Sequence, residues 1–373
     1  MVINLIKEFT SPVLDKPLNN FTICCSLHFF AFEKFKEILV KTGYEIAYPE
    51  GIFFHRLGRE LIYAEIDPRN NPYTLNFFTT LDLKQLENLF FHALSEKYKN
   101  RYVLIEGIES CRIKDCFSGQ HFDEIKHTLP QSVVKILENS LWSFEDFCNR
   151  FSRYNMSSTL GMLFYGPPGV GKTYILRSFF NKLLLERNFT IVQIYQGCLD
   201  YLNMSVLLSS CQSLFPCILF LEDIDVKFKD RRDQVYSLVG FLLETFEGLL
   251  QVEKVVLIAT SNNVDMIEKA LLRPGRIDYL IELEKPSKTA KELVLSKYLN
   301  GSDLNLPVRL KELLINIVDT FAELKGALQH LLRSYVSTGD FPSEEEVVRM
   351  IKTWKEVKVV GALEKGERRM GLL

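Results

Sequence analysis

Four short apolar runs, each bounded by polar or turn-forming residues, divide the middle of the chain: Thr159–Tyr165, Phe189–Tyr195, Pro216–Leu221 and Lys254–Ser261. Between them the apolar positions change to helical spacing, beginning at Tyr174–Phe180 and again within Cys198–Gln212 and Val235–Phe246. Short continuous runs fit strands covered on both faces, and alternation with helices fits a parallel α/β sheet. Upstream, Phe29–Val40 reads as an amphipathic helix, Ile46–Tyr48 and Leu61–Ile66 as strands, Leu81–Tyr98 as a helix and Tyr102–Ile105 as a further strand. Turns are expected at Pro49–Gly51 and Asp67–Pro72. Residues 1–115 are therefore expected to form an α+β unit, either an independent recognition or assembly domain or an elaboration packed on the central module. Ser132–Phe151 is helical in pattern and leads into the first central strand. Residues 287–340 are mostly helical with a loop at 301–307, a last helix covers Glu344–Trp354, and the 361–373 tail has no core pattern.

Composition narrows the class. A chain of 373 residues with 47% apolar and 25% charged residues is long enough for two or three domains with a sizeable core. Its 45 basic and 47 acidic residues give a formal charge of −2, which argues against a globally basic nucleic-acid binder and permits a local basic patch. The apolar run Phe21–Phe32 is interrupted by Ser26 and His28 and is too short to span a membrane, and the first residues lack the form of a secretory signal. Eight cysteines at irregular spacing fit reduced thiols, so a soluble cytoplasmic or otherwise intracellular protein is expected. The Cys111–Cys116 spacing, with His121 and His127 after it, is too wide for a paired zinc knuckle.

The candidate chemistry lies where the apolar runs end. After the first comes Gly166-Pro167-Pro168-Gly169-Val170-Gly171-Lys172-Thr173, and a helical pattern follows it directly. Strand, Gly-rich turn and helix are the setting of a phosphate-binding loop: backbone N–H groups face phosphate oxygens, Lys172 reaches the outer phosphates and Thr173 offers a hydroxyl to Mg²⁺. The third run delivers Glu222, Asp223 and Asp225 within four positions. One carboxylate can position Mg²⁺ through water while its neighbour orients the attacking water, and a cation relieves their mutual repulsion. The fourth run ends in Asn262 and Asn263, and an amide beside a phosphate site can hold a water or the terminal phosphate. Further on, Arg273 and Arg276 flank Pro274-Gly275, which suits presentation of a guanidinium to phosphates; a solvated basic helix end is the alternative.

In combination these residues resemble the AAA clade of the AAA+ ATPase family over about residues 130–340. Residues 166–173 look like its Walker A motif, Ile218–Asp225 like Walker B, Asn262 like the first sensor, and Arg273 and Arg276 fall at its two arginine-finger positions. Phe321-Ala322-Glu323-Leu324 is similar to the lid segment near the adenine pocket. The resemblance implies a P-loop NTPase parallel-sheet core over 116–286 and a C-terminal helical lid over 287–340, with the α+β unit at 1–115 and a helix and tail at 341–373. It implies ATP held by Gly166 to Thr173 together with Tyr174 and Ala322. Mg²⁺ is expected on Thr173 and Glu222, partly through water. Catalysis is expected from Asp223, Glu222, Lys172, Asn262, Arg273 and Arg276 in a homo-oligomer, expected to be a hexameric ring.

Three features depart from the pattern. Most members have Asp then Glu at the strand end; here Glu222 precedes Asp223, the order of the Bcs1-like branch, although no transmembrane segment is expected. Glu222 then takes the magnesium-linked role and Asp223, one methylene shorter than Glu, the catalytic-base role with hydrolysis that is active and can be slow. The aromatic-hydrophobic-Gly pore string is missing, leaving Tyr201 a weak candidate for gripping substrate, and Phe321 stands where the family has Gly. Three functions stay open on these residues: remodelling of an unidentified protein substrate, work on nucleic acid in replication or packaging, and a nucleotide-gated scaffold with little turnover.

Overall fold

Two separate sheets are present in the computed structural model, which describes residues 19–24, 45–47, 52–57, 60–67, 74–79, 92–93, 95–106, 111–114, 122–154, 158–195, 204–224, 253–263, 277–300 and 306–356. The first is antiparallel and made from β1 (Asn19–Cys24), β2 (Glu45–Ala47), β3 (Ile52–Leu57), β4 (Glu60–Asp67) and β5 (Thr74–Thr79), in the order β1-β5-β4-β3-β2. The expected strands at 46–48 and 61–66 are β2 and β4. The expected helix at Phe29–Val40 lies outside the described residues, as does most of the one at Leu81–Tyr98.

The second sheet carries the candidate chemistry. It contains β6 (Tyr102–Ile105), β7 (Cys111–Lys114), β8 (Leu160–Tyr165), β9 (Thr190–Ile194), β10 (Cys217–Leu221), β11 (Val255–Ser261) and β12 (Tyr279–Glu282), in the order β12-β8-β11-β10-β9-β6-β7. Every neighbouring pair is parallel except β6–β7. Strands β8, β9, β10 and β11 end side by side, which is where an open α/β sheet places its ligands. The expected division at residue 115 cuts across this sheet. Although β6 and β7 precede it, β6 pairs in parallel with β9, setting Tyr102 opposite Ile191 and Leu104 opposite Gln193.

Helices cover the sheet. Those before β8 are α1 (Phe122–Ile125), α2 (Gln131–Trp142) and α3 (Phe144–Phe151); α4 (Lys172–Arg187) follows β8, and α5 (Met204–Ser213) precedes β10. The buried face of α4 is aromatic and branched: Ile175, Leu176, Phe179, Phe180 and Leu183. Phe180 meets Phe220 of β10 edge-on with ring centroids 5.1 Å apart, and Phe179 meets Phe122 of α1 at 4.6 Å. Such packing fixes α4, and therefore the loop before it, against the sheet. Truncating one of these rings to Ala should cost about 3–5 kcal/mol.

The C-terminal helices α6 (Lys288–Leu299), α7 (Val308–Ile317), α8 (Phe321–Thr338) and α9 (residues 344–356) form their own core. It is built from Leu295, Leu310, Leu314, Leu324, Leu328 and Leu331, and α9 adds Val347 and Ile351. The expected division at 340 therefore separates a helix that packs inside the lid. Two lysines close the carbonyl end of α7: Lys291 Nζ donates to Ile315 O and Val318 O, and Lys355 Nζ of α9 donates to Ile317 O. Cations there oppose the negative end of the helix dipole.

Three cysteines of the central module, Cys148, Cys211 and Cys217, are buried free thiols, and burial pushes the Cys148 thiol up to about 11. No helix among the described residues is long and apolar enough to cross a membrane.

Candidate nucleotide site

The chain leaves β8 at Tyr165 and must turn sharply to start α4 at Lys172. It does so through glycines with positive φ, +85° at Gly169 and +96° at Gly171, a conformation in which a side chain is strained. A Cβ on Gly169 would stand 2.8 Å from the Ala322 methyl and 3.1 Å from Thr320 Oγ1. A Cβ on Gly171 would stand 3.3 Å from the Phe321 ring. The turn is thus a bare backbone cradle, opening onto a helix whose first N–H groups lack intrahelical acceptors.

The lid reaches this cradle through the start of α8. Thr320 caps that helix by accepting the Glu323 N–H at 3.2 Å, and Glu323 Oε2 accepts the Asp319 N–H at 2.8 Å. A cap of this kind contributes roughly 1 kcal/mol. The next N–H, of Ala322, donates to Gly169 O at 3.2 Å. Phe321, which stands where the family has Gly, lies over Gly171.

Inside the cradle, Lys172 is nearly buried at 5% exposure and its ammonium donates in three directions. It reaches Gly166 O at 2.7 Å, Pro167 O at 3.1 Å and Asn262 Oδ1 at 2.9 Å. Asn262 Nδ2 in turn donates to Asp223 Oδ1 at 3.1 Å. This orientation of the amide is dictated by its neighbours: an ammonium only donates and a carboxylate only accepts. Asp223 itself adopts φ +47°, with its N–H donating to Thr260 Oγ1 at 2.9 Å. Three loops that are far apart in sequence thus converge in one chain of side chains, Lys172–Asn262–Asp223.

Glu222 is held on the other side of the strand end. Arg177 Nη2, from α4, lies 3.3 Å from its Oε1 and 3.2 Å from its Oε2, and Gln193 Nε2 donates to Oε2 at 2.6 Å. Among their hydrogen bonds, Glu222 takes a guanidinium and the Gln193 amide, and Asp223 takes the Asn262 amide. Sequence reasoning missed Arg177, Gln193 and Thr260. A long polar side chain among the apolar residues of a buried strand, as Gln193 is in β9, was the available signal, because a buried amide needs partners.

Of the other expected residues, Thr173 is half-buried in the first turn of α4, Pro167 and Pro168 are exposed, Val170 is buried, and Tyr174 and Ala322 are exposed beside the cradle. Arg273, Arg276 and Tyr201 lie outside the described residues, as do Cys116 and His121. The cradle fits phosphates, because its bare glycine backbone leads into the N-terminus of α4 and Lys172 supplies the cation. The oxygen donors of Thr173 and Glu222 are of the kind that suits Mg²⁺, a hard ion that keeps several waters and takes few protein ligands. The described residues contain no group of three or more metal-ligating side chains of the His, Cys, Asp and Glu type.

Residues 162–285 match the sequence model of the family described as "ATPase family associated with various cellular activities (AAA)". The chain therefore carries an AAA domain with a P-loop NTPase core, and ATP is the nucleotide this implies. It is 30% identical over 225 residues to the proteasome-associated ATPase of Nakamurella multipartita, covering 51% of this chain and 36% of that protein. It is 30% identical over 196 residues to the cell division cycle protein 48 homolog of Archaeoglobus fulgidus, covering 50% and 26%. The ATP-dependent zinc metalloprotease FtsH of Alkalihalophilus pseudofirmus is 26% identical over 287 residues, covering 68% and 40%. The matches thus span well under half the length of each relative.

Proposed function

We propose that this chain is a Mg-ATP-dependent ATPase that acts as a ring and couples hydrolysis to the remodelling of a protein partner. The observation carrying this reading is the Lys172–Asn262–Asp223 chain of side chains at the mouth of a glycine cradle. Lys172 turns from its loop carbonyls to the outer phosphates of ATP, which offer stronger, charged acceptors. Asn262, already between the lysine and the carboxylate, holds the attacking water or the terminal phosphate. Asp223 takes the proton from that water. Thr173 and Glu222 hold Mg²⁺, partly through water; when bound, the ion offsets charge on the phosphate oxygens.

Arg273 and Arg276 reach the γ-phosphate bound by an adjacent subunit, so each site is complete only at an interface. A guanidinium there stabilises charge developing on the transferring group. A protein substrate is supported by relatives named for the proteasome and for ATP-dependent proteolysis. The five-stranded N-terminal sheet, outside the matched segment, is the part assigned to holding it.

The test is phosphate release from Mg-ATP. Lys172→Ala, which loses the cradle's cation, and Arg276→Ala, which loses the finger, should each be inactive. Mixed in exchanging assemblies they should regain part of the activity, because some interfaces join an intact Lys172 to an intact Arg276. Full turnover by a verified monomer, or by Arg276→Ala alone, would contradict a shared site.

A further inference from the structure

Glu222 is the end of a longer chain of contacts that begins outside the matched AAA segment. Tyr102 Oη donates to Gln193 Oε1 at 2.7 Å, and Gln193 Nε2 donates to Glu222 Oε2 at 2.6 Å. The pleat explains the meeting. Tyr102 pairs with Ile191, two residues before Gln193, and Gln193 pairs with Phe220, two residues before Glu222. Residues two apart in a strand share a face, so all three side chains stand on the side covered by α4. On that helix Phe180 packs against both Tyr102 and Phe220, and Arg177, one turn earlier, reaches Glu222.

The directions of these bonds are fixed. An ionised carboxylate can only accept, so the amide nitrogen of Gln193 must face Glu222 and its oxygen must face away. That oxygen meets Tyr102, whose hydroxyl is then the donor. Tyr102 and Gln193 are 1% and 3% exposed, so water does not compete for either group. Burial holds the Tyr102 phenol well above its ordinary value, which keeps the hydroxyl protonated as a donor. Without the Tyr102 hydroxyl, Gln193 would keep a buried oxygen lacking this donor, and the flipped amide would turn its own oxygen toward Glu222.

We propose that Tyr102 is a positioning residue that acts through Gln193, and through Arg177, which its hydroxyl oxygen also meets, to hold the Glu222 carboxylate in its metal-binding orientation. The β6–β7 hairpin thereby becomes part of the ATP site, although it lies outside residues 162–285. Lys114, the cross-strand partner of Tyr102, is held below its ordinary value by burial and by the Arg177 charge, which puts the hairpin in the same electrostatic field. The inference rests on the reading of Glu222 as the magnesium-linked carboxylate.

Binding of Mn²⁺, used as a stand-in for Mg²⁺, tests this by paramagnetic resonance on protein loaded with a non-hydrolysable ATP analogue. Tyr102→Phe keeps the ring and removes only the hydroxyl; metal affinity should fall about tenfold. Analogue affinity without metal should stay within about twofold of wild type. In a Gln193→Leu background the same change should cost clearly less metal affinity than it does alone, with only the part carried by Arg177 left, an outcome a general loss of packing would not give. Equal Mn²⁺ affinity for wild type and Tyr102→Phe overturns the proposal, as does simple additivity with Gln193→Leu. Glu222→Gln separates the two readings. If it too leaves Mn²⁺ affinity unchanged, the role of Glu222 falls as well; if it weakens the metal while Tyr102→Phe does not, only the role of Tyr102 falls.

Discussion

Asn262 donates its side-chain amide to Asp223 across 3.1 Å while its oxygen accepts from Lys172 at 2.9 Å. One amide therefore couples the cradle's ammonium to the residue assigned as base. Replacing it with Ala removes both contacts and leaves the glycine cradle unchanged. ATP should still bind, and turnover should fall about a hundredfold, as for loss of one donor aimed at a reacting group. Calorimetry and single-turnover phosphate release separate the two quantities; unchanged turnover would remove Asn262 from the site.

Contact between the cradle and the lid can be tested at Gly169. An Ala there costs about 1–2 kcal/mol in backbone conformation and drives its methyl against Ala322 and Thr320. ATP binding should weaken by roughly tenfold or more. Gly339 is the control, because it has φ +82° and no heavy atom within 4 Å of an added Cβ. Gly339→Ala should carry similar strain and leave ATP affinity unchanged. Equal ATP affinity for Gly169→Ala and wild type would rule out a tight cradle.

Asp319 ties the lid together and makes stability depend on pH. It lies 3.1 Å from Lys355 of α9 and 3.5 Å from Lys285, and the Lys355 hydrogen bond holds its carboxyl below the ordinary value of 3.8. A depressed carboxylate pKa adds stability above the unfolded value, and that stability is lost as pH falls through the lower folded value. Asp319→Asn should therefore lower the unfolding free energy read from urea denaturation at neutral pH, by no more than about 1 kcal/mol because the pair is exposed. The difference from wild type should close only below pH 3.8. A gap that persists in acid would mean that the loss is one of packing and not of charge.

Much of the site was legible because its parts are local. The loop from Gly166 to Thr173 needs its glycines at fixed places, and the buried strands announce themselves as unbroken apolar runs. Pairing across the chain was not legible. Tyr102–Ile105 reads correctly as a strand, but nothing in its four residues says that it joins β9, some ninety positions later. β3 and β5 were missed for a related reason: the flanking turns were evident, but short antiparallel strands are specified largely by their partners. Arg177 and Gln193 needed that same pairing before either could be connected to Glu222.

The central claim is that Asp223 is the proton acceptor and Glu222 the metal-linked carboxylate. It is tested most directly by measuring ATP affinity and phosphate release on Asp223→Asn and Glu222→Gln together. Asparagine tolerates the positive φ of position 223, so the first substitution changes charge with little cost in backbone conformation. Asp223→Asn should bind Mg-ATP like wild type and lose turnover about a hundredfold or more, whereas Glu222→Gln should weaken the Mg²⁺ dependence of binding. Intact turnover in Asp223→Asn alongside loss of turnover in Glu222→Gln would contradict the assignment and reverse the two roles.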